Sequence, residues 1–135
     1  MIPKFRAWHH ELGRMMLIRT MFFFANELEE LQLNDSIMND DIPVYPDEIE
    51  LMQSTGLFDK NGKEIFEGDV IAIEVDDTGT PINARVFQNS KIGVLMFHVF
   101  EDNEDVPMVE LLEDNSVAFE IIGNIYENPE LLEEK

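Results

Sequence analysis

Between residues 50 and 75 the chain sets two sharp turn signals, Asn61-Gly62 and Gly68-Asp69, among apolar runs such as Leu57-Phe58, Ile65-Phe66 and Val70-Ile71-Ala72-Ile73. Asn-Gly between such runs is the strongest short-range hairpin signal, because both residues tolerate positive φ. Gly68 permits a tight bend, Asp69 can accept hydrogen bonds from nearby amides, and a β-branched run follows at once. A stretch punctuated this often leaves no room for long helices and commits its surroundings to short strands.

The same residues suggest a competing reading. Asp59, Asn61, Gly62 and Glu64 carry the acid, amide and glycine of a calcium loop. If Gly62 takes the sharp-turn position six, position one is Leu57 and position twelve is Gly68. Both the first carboxylate and the terminal bidentate glutamate are then missing. Asn61-Gly62 is therefore read as a hairpin turn and Asp69 as a turn residue, since no partner is identifiable that would make it a catalytic acid.

Outwards from this stretch the pattern stays β-like. Residues 2–8 alternate apolar and basic positions, with Pro3 suited to an edge or first-residue place. A turn at 9–13 and a second run at 14–18 complete an opening hairpin. Residues 15–24 follow basic residues and superficially resemble a signal peptide, but Arg19 interrupts them and no cleavage pattern follows. They fall short of the ~20 residues of a membrane span and are read as core strand. Residues 21–33 are ambiguous. Phe24, Leu28 and Leu31 suit a short helix from about Ala25, while residues 21–24 could equally continue a strand.

Asn34, Asp35, Ser36, Asn39, Asp40, Asp41, Pro43 and Pro46 predict a loop or linker over 34–46. Strands are expected at 70–75, 82–87, 92–100, 106–112 and 117–126, with turns at 76–81, 88–91, 101–105 and 113–116. Asn128-Pro129-Glu130 reads as a helix start, with asparagine as cap and proline at the first helical position. The fold class is mainly β, a small antiparallel SH3-like barrel or sandwich with an N-terminal hairpin and short helical segments. At 135 residues this is one domain, within which a hairpin lobe of residues 1–46 would precede a barrel core of 47–135.

Charge and histidine placement narrow the function. The net charge is −20 and the chain has no cysteine, which removes disulfides and thiolate chemistry and suits a reducing cytoplasm. Residues 27–50 carry nine acids and no base, and residues 101–134 carry twelve acids and no base. Phosphate backbones require Lys and Arg, so direct nucleic-acid binding is not expected, whereas a basic protein surface is a suitable partner. Solubility alone also accounts for such charge runs. His9 and His10 are adjacent and would point to opposite faces of a strand. His98 sits in an apolar strand beside Phe97, where core or interface histidines are common. No spacing predicts a catalytic, cofactor or metal site.

Three stretches resemble the YopX family of phage and prophage proteins, found mainly in Gram-positive hosts and their viruses. They are Lys4-Phe5-Arg6-Ala7-Trp8, residues 51–70 around Gly56, Asn61, Gly62, Gly68 and Asp69, and Ile122-Gly123-Asn124-Ile125-Tyr126-Glu127-Asn128-Pro129-Glu130-Leu131-Leu132. The chain departs from the family pattern at His9, Ser54 and Phe58, where an aspartate, an aromatic and a lysine are common. Residues 19–47 and 76–118 carry no motif that aligns. The resemblance implies SH3-type barrel architecture and brings no established activity or catalytic residues with it. Its marker residues, Trp8, Gly56, Asn61, Gly62, Gly68, Asp69, Gly123, Asn124, Tyr126 and Pro129, are of structural rather than chemical types. The functional expectation is a non-enzymatic cytoplasmic accessory protein, without cofactor, acting by protein binding or homo-oligomerisation. The alternative is an acidic nucleic-acid mimic that inhibits a host enzyme. A metal-dependent enzyme built from the acids and histidines ranks last.

Overall fold

The computed structural model describes residues 4–35, 40–75, 79–89, 91–112 and 117–132. Pro3 and parts of the expected turns, at 76–78, 90 and 113–116, lie outside the described residues. The protein is mainly β and divides into two compact units, Met1–Ser54 and Thr55–Lys135.

In the first unit β1 (Phe5–His9), β2 (Arg14–Phe24), β3 (Glu27–Asp35), β4 (Asp40–Val44) and the start of β5 (Ile49–Phe58) form an antiparallel sheet in the order β4-β3-β2-β1-β5. The opening hairpin is present, with Ala7 opposite Met16 and His9 opposite Arg14. Ala7, Met16, Leu31, Leu33, Val44 and Ile49 form the core of this unit, with Ile18, Met21, Leu28 and Ile42 packed around them.

The ambiguous region resolves to strand, and no helix starts at Ala25. Ala25 and Asn26 take φ of 52° and 69° and form the two-residue connection between β2 and β3. Two successive positive φ values match the twist of the flanking strands, as in type I′ hairpin turns. Leu28 and, after a one-residue bulge at Glu29, Leu31 and Leu33 pack in the core while Glu27 and Glu30 take the other face, so the strand pattern defeats the helical one. Alanine has no local hydrogen bond to offset the cost of that conformation. Replacing Ala25-Asn26 by Asn-Gly is expected to stabilise the protein by about 0.5–1 kcal/mol. A thermal midpoint that stays flat or falls would count against this turn geometry.

Two further expectations are corrected here. The predicted loop over 34–46 contains β4, which pairs with β3 from Leu31 opposite Val44 to Asp35 opposite Asp40. Polar turn formers and Pro43 hid it, but β4 is at one end of the strand order, and edge strands tolerate proline because one side needs no donor. Nor is 15–24 a core strand throughout: Met16 is buried, whereas Phe22, Phe23 and Phe24 are exposed. Arg19 on β2 and Glu29 on β3 are each skipped by the pairing, giving two β-bulges along this hairpin.

The second unit holds the end of β5, β6 (Glu64–Phe66), β7 (Asp69–Val75), β8 (Ile82–Asn89), β9 (Val94–Val99), β10 (Glu104–Pro107), the single-turn helix α1 (Met108–Leu112) and β11 (Val117–Asn124). A 3₁₀ turn, Pro129–Leu132, follows. The sheet order is β10-β9-β8-β7-β11, all antiparallel and open rather than cyclic. Phe97, Ile71, Ile73, Val86, Ile65 and Met108 form its core. The strand expected over 106–112 stops at Pro107 and becomes α1. Met108 and Leu111 lie three residues apart, a helical spacing that lets both pack on this core.

Candidate functional site

The turn residues singled out in the sequence gather at two linked places in the second unit. The first is the loop between β5 and β6. Lys63 O accepts from Asp59 N at 2.8 Å and Asp59 O accepts from Gly62 N at 3.0 Å, with φ +81° at Gly62. The connection is thus three residues long, Lys60-Asn61-Gly62, and not the expected two-residue turn with positive φ at both Asn61 and Gly62. Only the glycine enters the left-handed region, the usual geometry when a turn closes through one extra residue.

Asp59 is the organiser of this loop. The residue is buried, being 7% exposed. Oδ1 accepts from Asn61 N and Lys63 N, both at 2.9 Å, and Oδ2 accepts from Ile121 N at 3.1 Å. Lys60 N also donates to Phe119 O at 2.8 Å. The loop thereby supplies one acceptor and one donor to the outer edge of β11, as a neighbouring strand would. Burial pushes the Asp59 carboxyl up, but the amides of Ile121, Lys63 and Asn61 and the Lys63 charge outweigh it and hold the group below its usual value. Lys60 Nζ reaches Glu74 at 2.9 Å and Glu120 at 3.2 Å, and these bonds, Glu74 first, raise its pKa.

The second place joins the Gly68-Asp69 turn to the end of β11. Gly68 has φ +87° and Asp69 is only 2% exposed, its Oδ2 accepting from Phe66 N at 2.8 Å. Asn124 stands opposite Asp69, and Gly68 O accepts from Ile125 N at 2.9 Å. Asn124 is buried. Its Oδ1 accepts from Tyr126 N and Glu127 N while its Nδ2 donates to Glu127 Oε1. Asn128 does not cap forwards as expected; its Oδ1 turns back to accept from Asn124 N at 3.2 Å. Pro129 does open the 3₁₀ turn. Gly123 follows a bulge at Ile122, and Gly56 lies within β5 at φ +79°. Trp8 belongs to the first unit, half-buried between Met15 and Glu50 on the neighbouring strands.

These are turn-building groups: the carboxylates of Asp59 and Asp69 and the carboxamides of Asn124 and Asn128 all accept from backbone amides. Among the described residues no group of three or more His, Asp or Glu is placed to hold a metal. His9 Nδ1 accepts from Leu12 N, which leaves Nε2 to carry the ring proton 3.7 Å from Glu48. His10 is exposed beside Glu50, apart from the buried His9. His98 Nδ1 lies 2.7 Å from Asp105 Oδ1, across the β9–β10 pair.

The exposed surface carries a different signal, which the sequence reading missed. At the far end of the β2–β3 hairpin Phe22, Phe23 and Phe24 are 45%, 62% and 70% exposed. Phe22 stands opposite Glu30, Phe23 opposite Leu28 and Phe24 opposite Glu27. The clue was present: three consecutive aromatics on a strand cannot all face one core, because successive side chains alternate.

The fold and these sites define a small, acidic, two-unit antiparallel protein whose landmark residues build turns and whose exposed aromatics lie elsewhere. The chain belongs to the YopX family, whose model, described as YopX protein, matches residues 4–133. It is similar to a protein of Enterococcus faecalis with a crystal structure, at 28% identity and TM-score 0.65, covering 98% of this chain and 99% of that one. It also resembles YopX of Bacillus subtilis in crystal structure, at 22% identity and TM-score 0.63, over 96% of this chain and 98% of that one. A comparison with curated protein sequences finds no match. No helix among the described residues is long and apolar enough to cross a membrane.

Proposed function

We propose that this is a non-catalytic phage or prophage accessory protein that works in the cytoplasm of the bacterial host by binding another protein. The observation that carries this is the exposed aromatic end of the β2–β3 hairpin. Phe22 and Phe24 share one face of the hairpin end with Glu30 and Glu27, and Phe23 shares the other with Leu28. Large exposed apolar side chains bordered by polar residues mark interaction sites. The finer fold reading supports a binding module as well. Strands β7 to β10 form a meander, a single helical turn follows, and β11 returns beside β7, the strand path of an SH3-like barrel.

Placing a photo-crosslinking amino acid at Phe23 in the host is expected to give a discrete heavier adduct on irradiation. The same group at exposed Lys91 serves as the control. An adduct absent at Phe23, or equally strong at Lys91, would sink the reading. The runner-up, a nucleic-acid mimic, has the charge distribution in its favour. It requires the protein to compete with duplex DNA for a basic DNA-binding protein, and in that case substitutions at Phe23 would leave the competition unchanged.

A further inference from the structure

The β2–β3 hairpin is built to present its end rather than to bury it. β2 runs for 11 residues and the pairing continues to Phe24 opposite Glu27, directly before the Ala25-Asn26 turn. The core of the first unit takes in Met21 and Leu28, the partner of Phe23, but none of the three phenylalanines. Strand pairing that resumes after the bulge and runs to the last residue fixes the backbone that carries these rings, and aromatic anchors dominate binding interfaces.

Charge decides what can dock there. Glu27 and Glu30 stand directly across from Phe24 and Phe22, and Glu29 is exposed on the bulge between them. No Lys or Arg occurs from Thr20 through Asp59, and Arg19, just before that stretch, is paired with Asp41 at 3.3 Å. A second copy would bring the same carboxylates and a further net charge of −20. Nucleic acid and anionic lipid are repelled for the same reason. The complementary surface is one that offers apolar contact and cations together.

Building on the protein-binding reading, we infer that the Phe22–Phe24 end of the hairpin docks a basic amphipathic protein element, an apolar stripe flanked by Lys or Arg. The test uses the full chain and two helical peptides with identical leucine spacing, one with lysine and one with glutamate at the intervening positions. Fluorescence anisotropy is expected to show binding of the Lys/Leu peptide and none of the Glu/Leu peptide. Phe22→Thr with Phe24→Thr, on the face that carries the two glutamates, should weaken that binding by about tenfold or more, as should Glu27→Gln with Glu30→Gln. All four positions lie outside the core cluster, so the thermal midpoints should stay near that of the parent.

Lys/Leu binding that survives the phenylalanine substitutions would be plain attraction to an acidic protein and would overturn the inference. So would a concentration-dependent dimer in sedimentation velocity that those substitutions abolish, or uptake by phosphatidylcholine vesicles. An adduct from the Phe23 crosslinker without selective Lys/Leu binding would overturn this occupant while leaving protein binding standing. Failure of both would remove both.

Discussion

Asp59→Asn is expected to destabilise the protein by about 2–4 kcal/mol, a conspicuous loss for a change of one atom type. Oδ1 serves two amides and Oδ2 serves a third, donated by Ile121 from the edge of β11. An asparagine has one acceptor oxygen, so either orientation of its carboxamide aims an NH₂ group at an N–H. Oδ1 replaced by nitrogen abandons the loop amides of Asn61 and Lys63. Oδ2 replaced by nitrogen abandons β11. The bonds to these amides are part-buried, and a donor left without its acceptor there costs more than the average hydrogen bond contributes. Urea unfolding at neutral pH measures the effect through the midpoint, and a shift below about 1 kcal/mol would show that the loop rearranges around the amide.

The pH dependence of the same pair of proteins gives an independent check. The folded-state pKa of Asp59 is depressed, so its contribution is fully present above the unfolded value of about 3.9. It is lost as pH falls through the lower folded value. The stability gap between parent and Asp59→Asn should therefore be widest at neutral pH and narrow from about pH 4 downwards. A gap that does not narrow on acidification would mean that the carboxylate charge is not what holds the loop to β11.

Asp59 also shows where sequence legibility ends. Its neighbours Asn61 and Gly62 announce a turn, and the turn is there. What could not be read is the bond to Ile121, 62 residues further on, which turns a local loop into a cap on a sheet edge. Local chemistry specified Gly68-Asp69, the opening hairpin and β7, β8 and β9 for the same reason: alternation and turn residues act within a few positions. The failures are tertiary. β4 looks like a loop because Pro43 and its acids are tolerable only at an edge, and edge position depends on the whole sheet. Residues 108–112 look like a strand until Met108 is given a core to fill. Phe22, Phe23 and Phe24 look like core because an apolar residue at an interface and one in an interior are written alike.

Gly123 supplies the other large effect, and it tests the link between the end of β11 and the last 3₁₀ turn. A Cβ added there would lie 2.5 Å from Asn128 Oδ1, 2.8 Å from Asn128 Cγ and 2.9 Å from Leu131 Cδ1. Leu131 ends in a flexible methyl and can move at little cost. Asn128 is held, since its Oδ1 accepts from Asn124 N, in a segment that also carries the Asn124 carboxamide bonds to Tyr126 and Glu127. Gly123→Ala must therefore displace the Asn128 carboxamide and leave a partly buried amide without its acceptor, at a cost of about 1–3 kcal/mol. Asn128→Ala removes the same acceptor without any clash and should cost about 1 kcal/mol. In the double variant the steric conflict with the carboxamide is gone and the acceptor is lost only once. The double variant should then be more stable than the sum of the singles predicts, by about 1 kcal/mol. Strict additivity in a denaturant-measured cycle would place the cost of Gly123→Ala in Leu131 or the backbone, and the Asn128 bond would lose its role in anchoring the chain end.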